Sequence, residues 1–413
     1  ISRTPRPDAP SKDGTTPSTT VSKTTTTTST TTNTPKTTTT EETLLFPETK
    51  PPSYKVVCYF NHSSFRRKTP MSFRTGHIPV PFCTHIVYAS LGINDEFELT
   101  AKDSEFDITQ GGFVKTAALR KTYRGLTVLA AIGEDINDSR MFHRLSQSTN
   151  DTETFARNVL SWLNYFNYDG LVVQWRQYHE PWAAHYRDDL NRIVSALRHT
   201  LGPERQICVG IPNDEETRQA HFDVATLSQS VDQFFVLPYW VLREDGGVES
   251  VTSKMTAFPD PLNDVLTTRH SLASAGWGTL FPKFCFVLSI AGRSYTLADS
   301  RHHEINANAL GPGQPGPFTG TPGLLAFYEI CNKTWATDVK GTYGSYAAKG
   351  DQWIGYLEPP SLERVLWMVL WKHRAACVGI LDVSLDDFRG ICGDPFPLTK
   401  VIAGWHYQNV VVT

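Results

Sequence analysis

The segment Tyr168-Asp169-Gly170-Leu171-Val172-Val173-Gln174-Trp175-Arg176 has the pattern of a buried strand that leaves a turn. A turn-forming Asp-Gly pair precedes three consecutive apolar residues, and a charged residue ends the run. Side chains alternate along a strand, so Val172, Gln174 and Arg176 should point to the same side. The segment therefore predicts a buried strand whose last inward-facing side chain is an arginine.

Seven further apolar runs after residue 53 predict strands of the same kind. They are Tyr54–Phe60, Thr84–Ser90, Leu126–Ile132, Ile207–Ile211, Gln233–Tyr239, Phe284–Ile290 and Val378–Val383. Helical patterns such as Thr152–Phe166 and Ala183–Leu201 lie between them. Strands that alternate with helices indicate βαβ units and a parallel sheet. Eight such units predict an α/β fold, a (β/α)8 TIM barrel.

One interval does not fit a simple barrel. Between the seventh strand and a helical pattern near Glu363–Arg374 lie about seventy residues rich in Gly, Pro and aromatic residues. An unstructured loop of that length is uncommon in a compact domain. We therefore predict a small α+β insertion domain at residues 293–355, before the last strand. The barrel then comprises residues 54–292 and 356–407.

The first 53 residues differ in kind from the rest. They are rich in Thr and Pro and poor in apolar residues, so they cannot bury enough surface to offset their chain entropy. We expect a disordered segment. Its composition is typical of an O-glycosylated linker, with an unmodified flexible tail as the alternative. A linker at this place suggests that another domain precedes Ile1.

Composition limits the kinds of partner and the cellular location that we expect for the protein. Charged residues make up 20% of the 413 and the formal net charge is -3, which argues against nucleic acid as a partner. The sequence has no apolar run of about 18 residues, so no membrane span is expected. The chain begins at Ile1 without a signal peptide, which fits a mature secreted chain or a piece of a longer one. We expect no cofactor and no metal, because no His, Cys or carboxylate cluster has metal-ligand spacing.

Cysteines and glycosylation sequons favour a secreted, extracellular protein. Sequons begin at Asn61, Asn137, Asn150 and Asn332, and they stand beside the Thr-rich tract. Three of the seven cysteines lie in apolar strand-like runs and are predicted to be isolated buried thiols: Cys208, Cys285 and Cys377. The better disulfide candidates are Cys58, Cys83, Cys331 and Cys392.

Several segments of residues 54–405 resemble family 18 chitinases and their inactive chitinase-like relatives. In order and spacing they are Lys55–Phe60, Cys83–Ala89, Gly111–Phe113, Leu129–Gly133, Gly292–Leu297, Tyr328–Cys331, Gln352–Tyr356, Leu385–Gly390 and Cys392–Leu398. The resemblance implies the barrel with its insertion domain. It also implies two disulfides, Cys58–Cys83 and Cys331–Cys392.

The opening segment resembles the family's signature strand, D-G-x-D-x-D-x-E, whose final Glu is the proton donor. Asp169 matches the first Asp, but Val172, Gln174 and Arg176 replace the other three acids. A guanidinium is effectively never deprotonated in proteins, so it cannot be a general acid. Loss of general acid catalysis removes about 10²–10⁴ in rate. The resemblance therefore implies a chitinase fold without chitinase chemistry.

The positions that would hold the sugar have changed as well. Where the family's third strand ends Gly-Gly-Trp, this chain has Gly133-Glu134-Asp135, and the family's sixth-strand Tyr-Asp is Tyr239-Trp240. Leu381 replaces an eighth-strand Trp and Ser90 replaces a second-strand Phe. Retained residues favour some residual cleft. Our candidates for ligand binding are Tyr59, Asp135, Tyr239, Trp240, Arg293 and Leu381.

Arg176 needs a partner if it is even partly buried. Asp135 and Asp382 are new acids at the predicted mouth of the barrel, and we hypothesise that Arg176 pairs with one or both of them. The alternative is that Arg176 extends into water.

These patterns predict a secreted protein, expected to be a monomer, that does not hydrolyse chitin. It would act as a lectin or signalling protein, with chitin, another glycan or a protein as its partner. The alternative is a protein-interaction or extracellular-matrix module that binds no glycan. Arg176, Trp240 and Leu381 argue against an active hydrolase with relocated catalysis.

Overall fold

A computed structural model of the protein describes residues 54–176, 185–238, 256, 261–331, 337–341, 344–372 and 375–404. The predicted Thr-rich linker lies outside the described residues. So do Tyr239 and Trp240.

Eight parallel strands close into a barrel, as predicted. They are β1 (Lys55–Asn61), β2 (His85–Ile93), β4 (Thr127–Ile132), β5 (Gly170–Val173), β6 (Gln206–Pro212), β7 (Gln233–Leu237), β8 (Phe284–Ser289) and β15 (Cys377–Leu381). Neighbours pair in that order, and β15 returns to β1. The short β3 (Leu99–Thr100) pairs antiparallel with the end of β2.

Helices connect the barrel strands, and one more follows the last strand. The connecting helices are α1 (Gly112–Thr122), α2 (Ile136–Ser146), α3 (Thr149–Phe166), α4 (Tyr186–Leu201), α5 (Glu215–His221), α6 (Val224–Leu227), α7 (Pro261–Ser274) and α9 (Pro359–Leu366), and the one after the last strand is α10 (Pro397–Ile402). Local sequence sets their ends: the Ser148 side chain caps the start of α3, and Asn167 ends it at a left-handed φ of 59°. In the part of the chain that the structure describes, no helix combines the length and the apolar character needed to cross a bilayer.

A second, antiparallel sheet lies between β8 and β15 in the chain. Its strands are β9 (Gly292–Leu297), β10 (Ala309–Pro312), β11 (Leu324–Leu325), β12 (Thr337–Lys340), β13 (Ser345–Lys349) and β14 (Gln352–Tyr356), with a one-turn helix α8 (Phe327–Ile330). Trp353 packs its ring against Tyr295 and Tyr346 in the core of this sheet. The stretch predicted to be an insertion domain thus has its own sheet and its own apolar cluster.

Alternation along β5 separates two apolar layers. Val172 lies in the cluster that fills the barrel interior, whereas Leu171 and Val173 belong to the cluster between the barrel and its helices. This is the period-2 pattern expected of a strand whose two faces are both buried. Residues that continue the inward side of β5 are therefore directed to the carboxyl end of the barrel.

The structure contains three disulfides. Cys58 is bonded to Cys83 and Cys331 to Cys392, the two pairs that the resemblance implied.

The third disulfide, Cys285–Cys377, shows that our prediction of isolated thiols at these two positions was wrong. The two cysteines face the barrel interior on adjacent strands, β8 and β15, with Cα atoms 4.5 Å apart. Their sequence separation of 92 residues conceals this proximity, because only closure of the barrel places β15 beside β8. Cys208 is a free, buried thiol, as predicted.

Candidate functional site

Three residues follow β5 at the mouth of the barrel, and the last of them, Arg176, stands where the resemblance places the family's proton donor. The backbone N–H groups of Gln174 and Arg176 donate to the carbonyls of Ile132 and Gly133, at 2.8 and 3.4 Å, and so extend the pairing with β4. Trp175 faces outward, where its ring packs on Phe142 at 5.2 Å and on Tyr186 at 4.2 Å. Alternation therefore places Gln174 and Arg176 on the inner side.

Arg176 pairs with a carboxylate, as hypothesised, but with a different one. Its Nη2 atom lies 3.4 Å from Oε1 of Glu134, and the two side chains are 23% and 34% exposed. Neither Asp135 nor Asp382, the partners that we named, forms the pair. Glu134 lies two residues after the end of β4, and β4 is the neighbour of β5 in the barrel.

Gly133 makes the approach of these two strand ends possible. Its φ is +93°, a conformation that L side chains rarely adopt. A Cβ atom here would lie 2.4 Å from the Phe142 ring and 3.1 Å from the Gln174 carbonyl oxygen. The glycine thus sets both the turn after β4 and the position of Glu134.

Electrostatics keep Glu134 ionised. Burial raises its pKa, but the Arg176 charge, a hydrogen bond from Ser90 and the charge of Lys102 outweigh burial, and the pKa is lowered. Sequence reasoning treated Ser90 only as a lost aromatic platform. In the structure, the Ser90 side chain forms a hydrogen bond with Glu134 and so supports the ion pair. No local sequence pattern predicts that these two residues are close together.

Asp135 serves the start of α2. Its side chain accepts the backbone N–H of Asp138 at 2.9 Å and binds Lys102 Nζ at 2.7 Å. Lys102 also contacts Asp138 at 2.9 Å. Burial lowers the pKa of Lys102, but the two carboxylates outweigh burial and raise it. Asp135 therefore caps α2 and pairs with Lys102.

Asp382 is buried behind the mouth. It follows β15 and accepts hydrogen bonds from the backbone N–H of Ser384, at 2.7 Å, and from the Ser384 hydroxyl. Burial raises its pKa, while Arg67 and the Ser384 and Asn61 contacts oppose that rise. These bonds fix the loop after β15 rather than Arg176.

Among the other predicted binding residues, Tyr59 is also inside the barrel. Gln174 Nε2 donates to the Tyr59 hydroxyl at 2.9 Å, and only 1% of Tyr59 is exposed. Burial raises its pKa well above the usual value. Leu381 is half-buried against the interior cluster, and Arg293 is half-buried on β9 of the second sheet.

Asp169, the retained acid of the signature, lies at the opposite end of β5. Its Oδ2 atom accepts the N–H of Val128 at 2.7 Å, and its Oδ1 atom pairs with Arg120. The structure therefore does not bring Asp169 to Arg176. Its contacts hold the start of two strands together.

Metal ligation finds no support in the described part of the chain. Cys331, Asp387 and Cys392 form a close group of ligand-type side chains. The two sulfurs are joined in a disulfide, and Asp387 accepts the backbone N–H groups of Ile391 and Cys392 at 2.9 and 2.7 Å. The group is structural.

Of the four sequons, the structure describes three acceptor asparagines. Asn137 and Asn150 are exposed. Asn61 is half-buried at the end of β1; its Oδ1 atom accepts the N–H of Ser63 at 3.0 Å, and its side chain also contacts Asp382. Asn332 lies outside the described residues.

Comparison with known protein families agrees with this architecture. The chain has an eight-stranded barrel, a second sheet after β8, and Arg176 in place of an acid after β5. The sequence model described as "Glycosyl hydrolases family 18" matches residues 55–386. The chain belongs to this family.

Curated relatives include both enzymes and a glycoprotein. The endochitinase of Manduca sexta is 27% identical over 379 residues, which cover 84% of this chain and 66% of that protein. The oviduct-specific glycoprotein of Ovis aries is 27% identical over 373 residues, 85% of this chain and 66% of that protein. The chain thus spans just under two thirds of each.

A solved structure supports the family 18 fold. Human YKL-39, described as a pseudo-chitinase with retained chitooligosaccharide binding properties, superposes with a TM-score of 0.73 at 24% identity. The match covers 85% of this chain and 98% of that one. At this identity the likeness establishes the fold.

Proposed function

We propose that this chain is a secreted chitinase-like protein that does not hydrolyse chitin and that binds a glycan at the barrel mouth. The observation that carries the proposal is the ion pair between Arg176 and Glu134, 3.4 Å apart, at the position of the family's proton donor. A guanidinium does not release its proton, and the Arg176 charge contributes to a lowered pKa of Glu134 despite the partial burial of that carboxylate. Neither group can protonate a leaving oxygen at neutral pH.

Relatives support the same reading. YKL-39 is described as a pseudo-chitinase that still binds chitooligosaccharides, and an oviduct-specific glycoprotein is among the matches. Three disulfides and two exposed sequon asparagines support an extracellular setting for this chain.

Two observations define the competing functions. Tyr59, a retained aromatic, is 1% exposed and engaged by Gln174, so it offers no platform for a sugar, which favours a protein-interaction or matrix module. Asp382 has the raised pKa that a general acid needs, which is the best argument for a relocated hydrolase. Asp382 is only 6% exposed and binds Ser384, so we place the hydrolase last.

Turnover of a fluorogenic chitobioside tests the loss of catalysis. We expect no turnover by the wild-type chain, by Arg176→Glu or by the double variant Gln174→Asp/Arg176→Glu. The double variant restores two acids but leaves Val172 and Leu381 in place, so it should still lack the family's support for the acid and for the sugar. An active family 18 chitinase is the positive control, and hydrolysis by the wild-type chain would overturn the proposal.

A glycan array and a chitin pull-down test binding. We expect retention on chitin or another glycan, and loss of retention in Arg176→Trp, whose bulk fills the mouth. The matched control is Ser161→Trp, at an exposed serine on α3. If no glycan retains the wild-type chain, the interaction-module function replaces the lectin. If both tryptophan variants bind as well as wild type, the glycan lies elsewhere.

A further inference from the structure

A cleft of about 590 Å³ lies on the outer wall of the barrel, between the start of α3 and α4. Its volume falls within the range of about 300–1,000 Å³ that small-molecule sites occupy. Its lining comes from the α2–α3 junction and from one face of α4, and none of it belongs to the site around Arg176. We call it the helix cleft.

Every residue that lines the helix cleft has a polar or charged side chain, apart from Ala196. Hydroxyl, amide and imidazole groups face it, among them Gln147, Ser195 and His199. Such groups suit the hydroxyls of a sugar. No Trp, Tyr or Phe lines the cleft, so it offers no aromatic ring on which a sugar could stack. The net contribution of each hydrogen bond is small, so hydrogen bonds alone would not offset the cost of associating a free glycan.

One lining group needs a hydrogen-bond donor. The Oδ1 atom of Asn191, on α4, is buried and has no hydrogen-bond partner among the described residues. Buried acceptors are nearly always satisfied, and each unsatisfied one needs an explanation. A hydroxyl group from a molecule seated in the cleft would supply the missing donor.

A sequon stands at the edge of the helix cleft. Asn150 is exposed in the first turn of α3 and begins the acceptor tripeptide Asn150-Asp151-Thr152. Its chain neighbour Thr149 and Glu153, three residues further on, both line the cleft. Residues three apart on a helix are neighbours, with Cβ atoms about 5–6 Å apart. A glycan attached to Asn150 would therefore begin at the rim.

We propose that Asn150 carries an N-linked glycan whose inner sugars lie in the helix cleft, where a sugar hydroxyl donates to Asn191 Oδ1. Attachment to the chain makes binding intramolecular, with an effective concentration of about millimolar. That tether compensates for the missing aromatic platform, which is why the cleft suits the chain's own glycan better than a free one.

The test uses the full chain from a glycosylating secretory host. Mass spectrometry of glycopeptides gives the occupancy of Asn150, and peptide-N-glycosidase treatment gives the rate of glycan release in the native and the denatured chain. We expect Asn150 to be occupied and its glycan to be released about tenfold more slowly from the native chain, which corresponds to about 90% seating in the cleft. Ser195→Trp should fill the cleft and remove the difference, and Asn191→Ala should reduce it.

Two controls separate seating from general steric shielding. The exposed Ser161 on α3 does not line the cleft, so Ser161→Trp should keep the protection. Circular dichroism and the thermal midpoint establish that each variant folds, and Asn191→Ala, a smaller change, replaces Ser195→Trp if that variant does not. An unoccupied Asn150 overturns the proposal. So does a release rate that is equal in the native and denatured chain, or protection that Ser195→Trp and Asn191→Ala leave unchanged.

Discussion

At the residue scale, Arg176 replaces an acid but does not stand alone. Arg176 forms an ion pair with Glu134, and Ser90 and Lys102 help to keep Glu134 ionised. Arg176, Glu134 and Ser90 each depart from the family pattern, and together with Lys102 they form one polar network. The position of the family's proton donor therefore carries a permanent positive charge.

The ion pair predicts a pH-dependent contribution to stability. The folded-state pKa of Glu134 is lowered, so the pair stabilises the fold above the unfolded pKa of about 4.3 and loses this effect as pH falls through the folded pKa. We expect Arg176→Met to lower the free energy of unfolding by about 1 kcal/mol or less at pH 7, because both groups are partly exposed. Urea denaturation at pH 7 and at pH 3 measures the difference, which should shrink at the lower pH.

Arg157→Met is the matched control for this prediction. Arg157 and Glu153 form an exposed pair on α3, 3.6 Å apart, with side chains 57% and 55% exposed. This variant should have no measurable effect at either pH. A loss in Arg176→Met that is the same at both pH values would mean that packing, and not the charge, is what Arg176 contributes.

At the element scale, two barrel strands begin with the same arrangement, which we call the strand clasp. In the first clasp, Arg120 of α1 binds Asp169 and the carbonyl of Asn167. The same Asp169 accepts the N–H of Val128, on β4. An aspartate just before β5 thereby ties β4 to β5 and to the helix that precedes β4.

The second clasp repeats these contacts two strands further around the barrel. Arg198 of α4 binds Asp232 at 2.6 Å and the Ser230 carbonyl at 2.8 Å, and Asp232 accepts the N–H of Ile207, on β6, at 2.8 Å. In both clasps the arginine binds the carbonyl two residues before the aspartate. The repetition identifies Asp169 as a structural residue of the barrel base.

Removal of either aspartate should destabilise the barrel without affecting its mouth. Asp169→Ala and Asp232→Ala each leave a strand N–H without its acceptor and remove the carboxylate that pairs with an arginine, so each should cost about 1–3 kcal/mol in the free energy of unfolding. Equilibrium denaturation measures the cost. Asp95→Ala, at an exposed pair with Arg144, should cost almost nothing. A clasp variant as stable as Asp95→Ala would show that the arrangement contributes no stability.

At the scale of the whole molecule, the Cys285–Cys377 disulfide joins the two barrel strands between which the chain forms the second sheet. The bonded cysteines lie on β8 and β15 at a sequence separation of 92, and the chain between them includes β9 to β14. Cross-links that close long loops remove much of the entropy of the unfolded chain. We therefore expect this disulfide to stabilise the junction at which the chain leaves the barrel and returns.

Replacement of both cysteines tests this expectation. Cys285→Ala/Cys377→Ala should lower the free energy of unfolding by about 2–4 kcal/mol, measured by denaturation under non-reducing conditions. The free thiol Cys208 lies in the same interior cluster, so Cys208→Ala gives the cost of removing one buried sulfur. The prediction fails if the double variant loses no more than twice that cost.

Sequence by itself determined the barrel, the shared inward side of Val172, Gln174 and Arg176, and the charge at the position of the proton donor. These depend on local information: the alternation along strands, the helical periods between them and the identity of Arg176. Only the tertiary structure decided which groups meet. Glu134 pairs with Arg176 where we named Asp135 and Asp382, and Cys285 bonds with Cys377 where we predicted free thiols. Contacts between residues far apart in the chain depend on strand order and register, which no local pattern encodes.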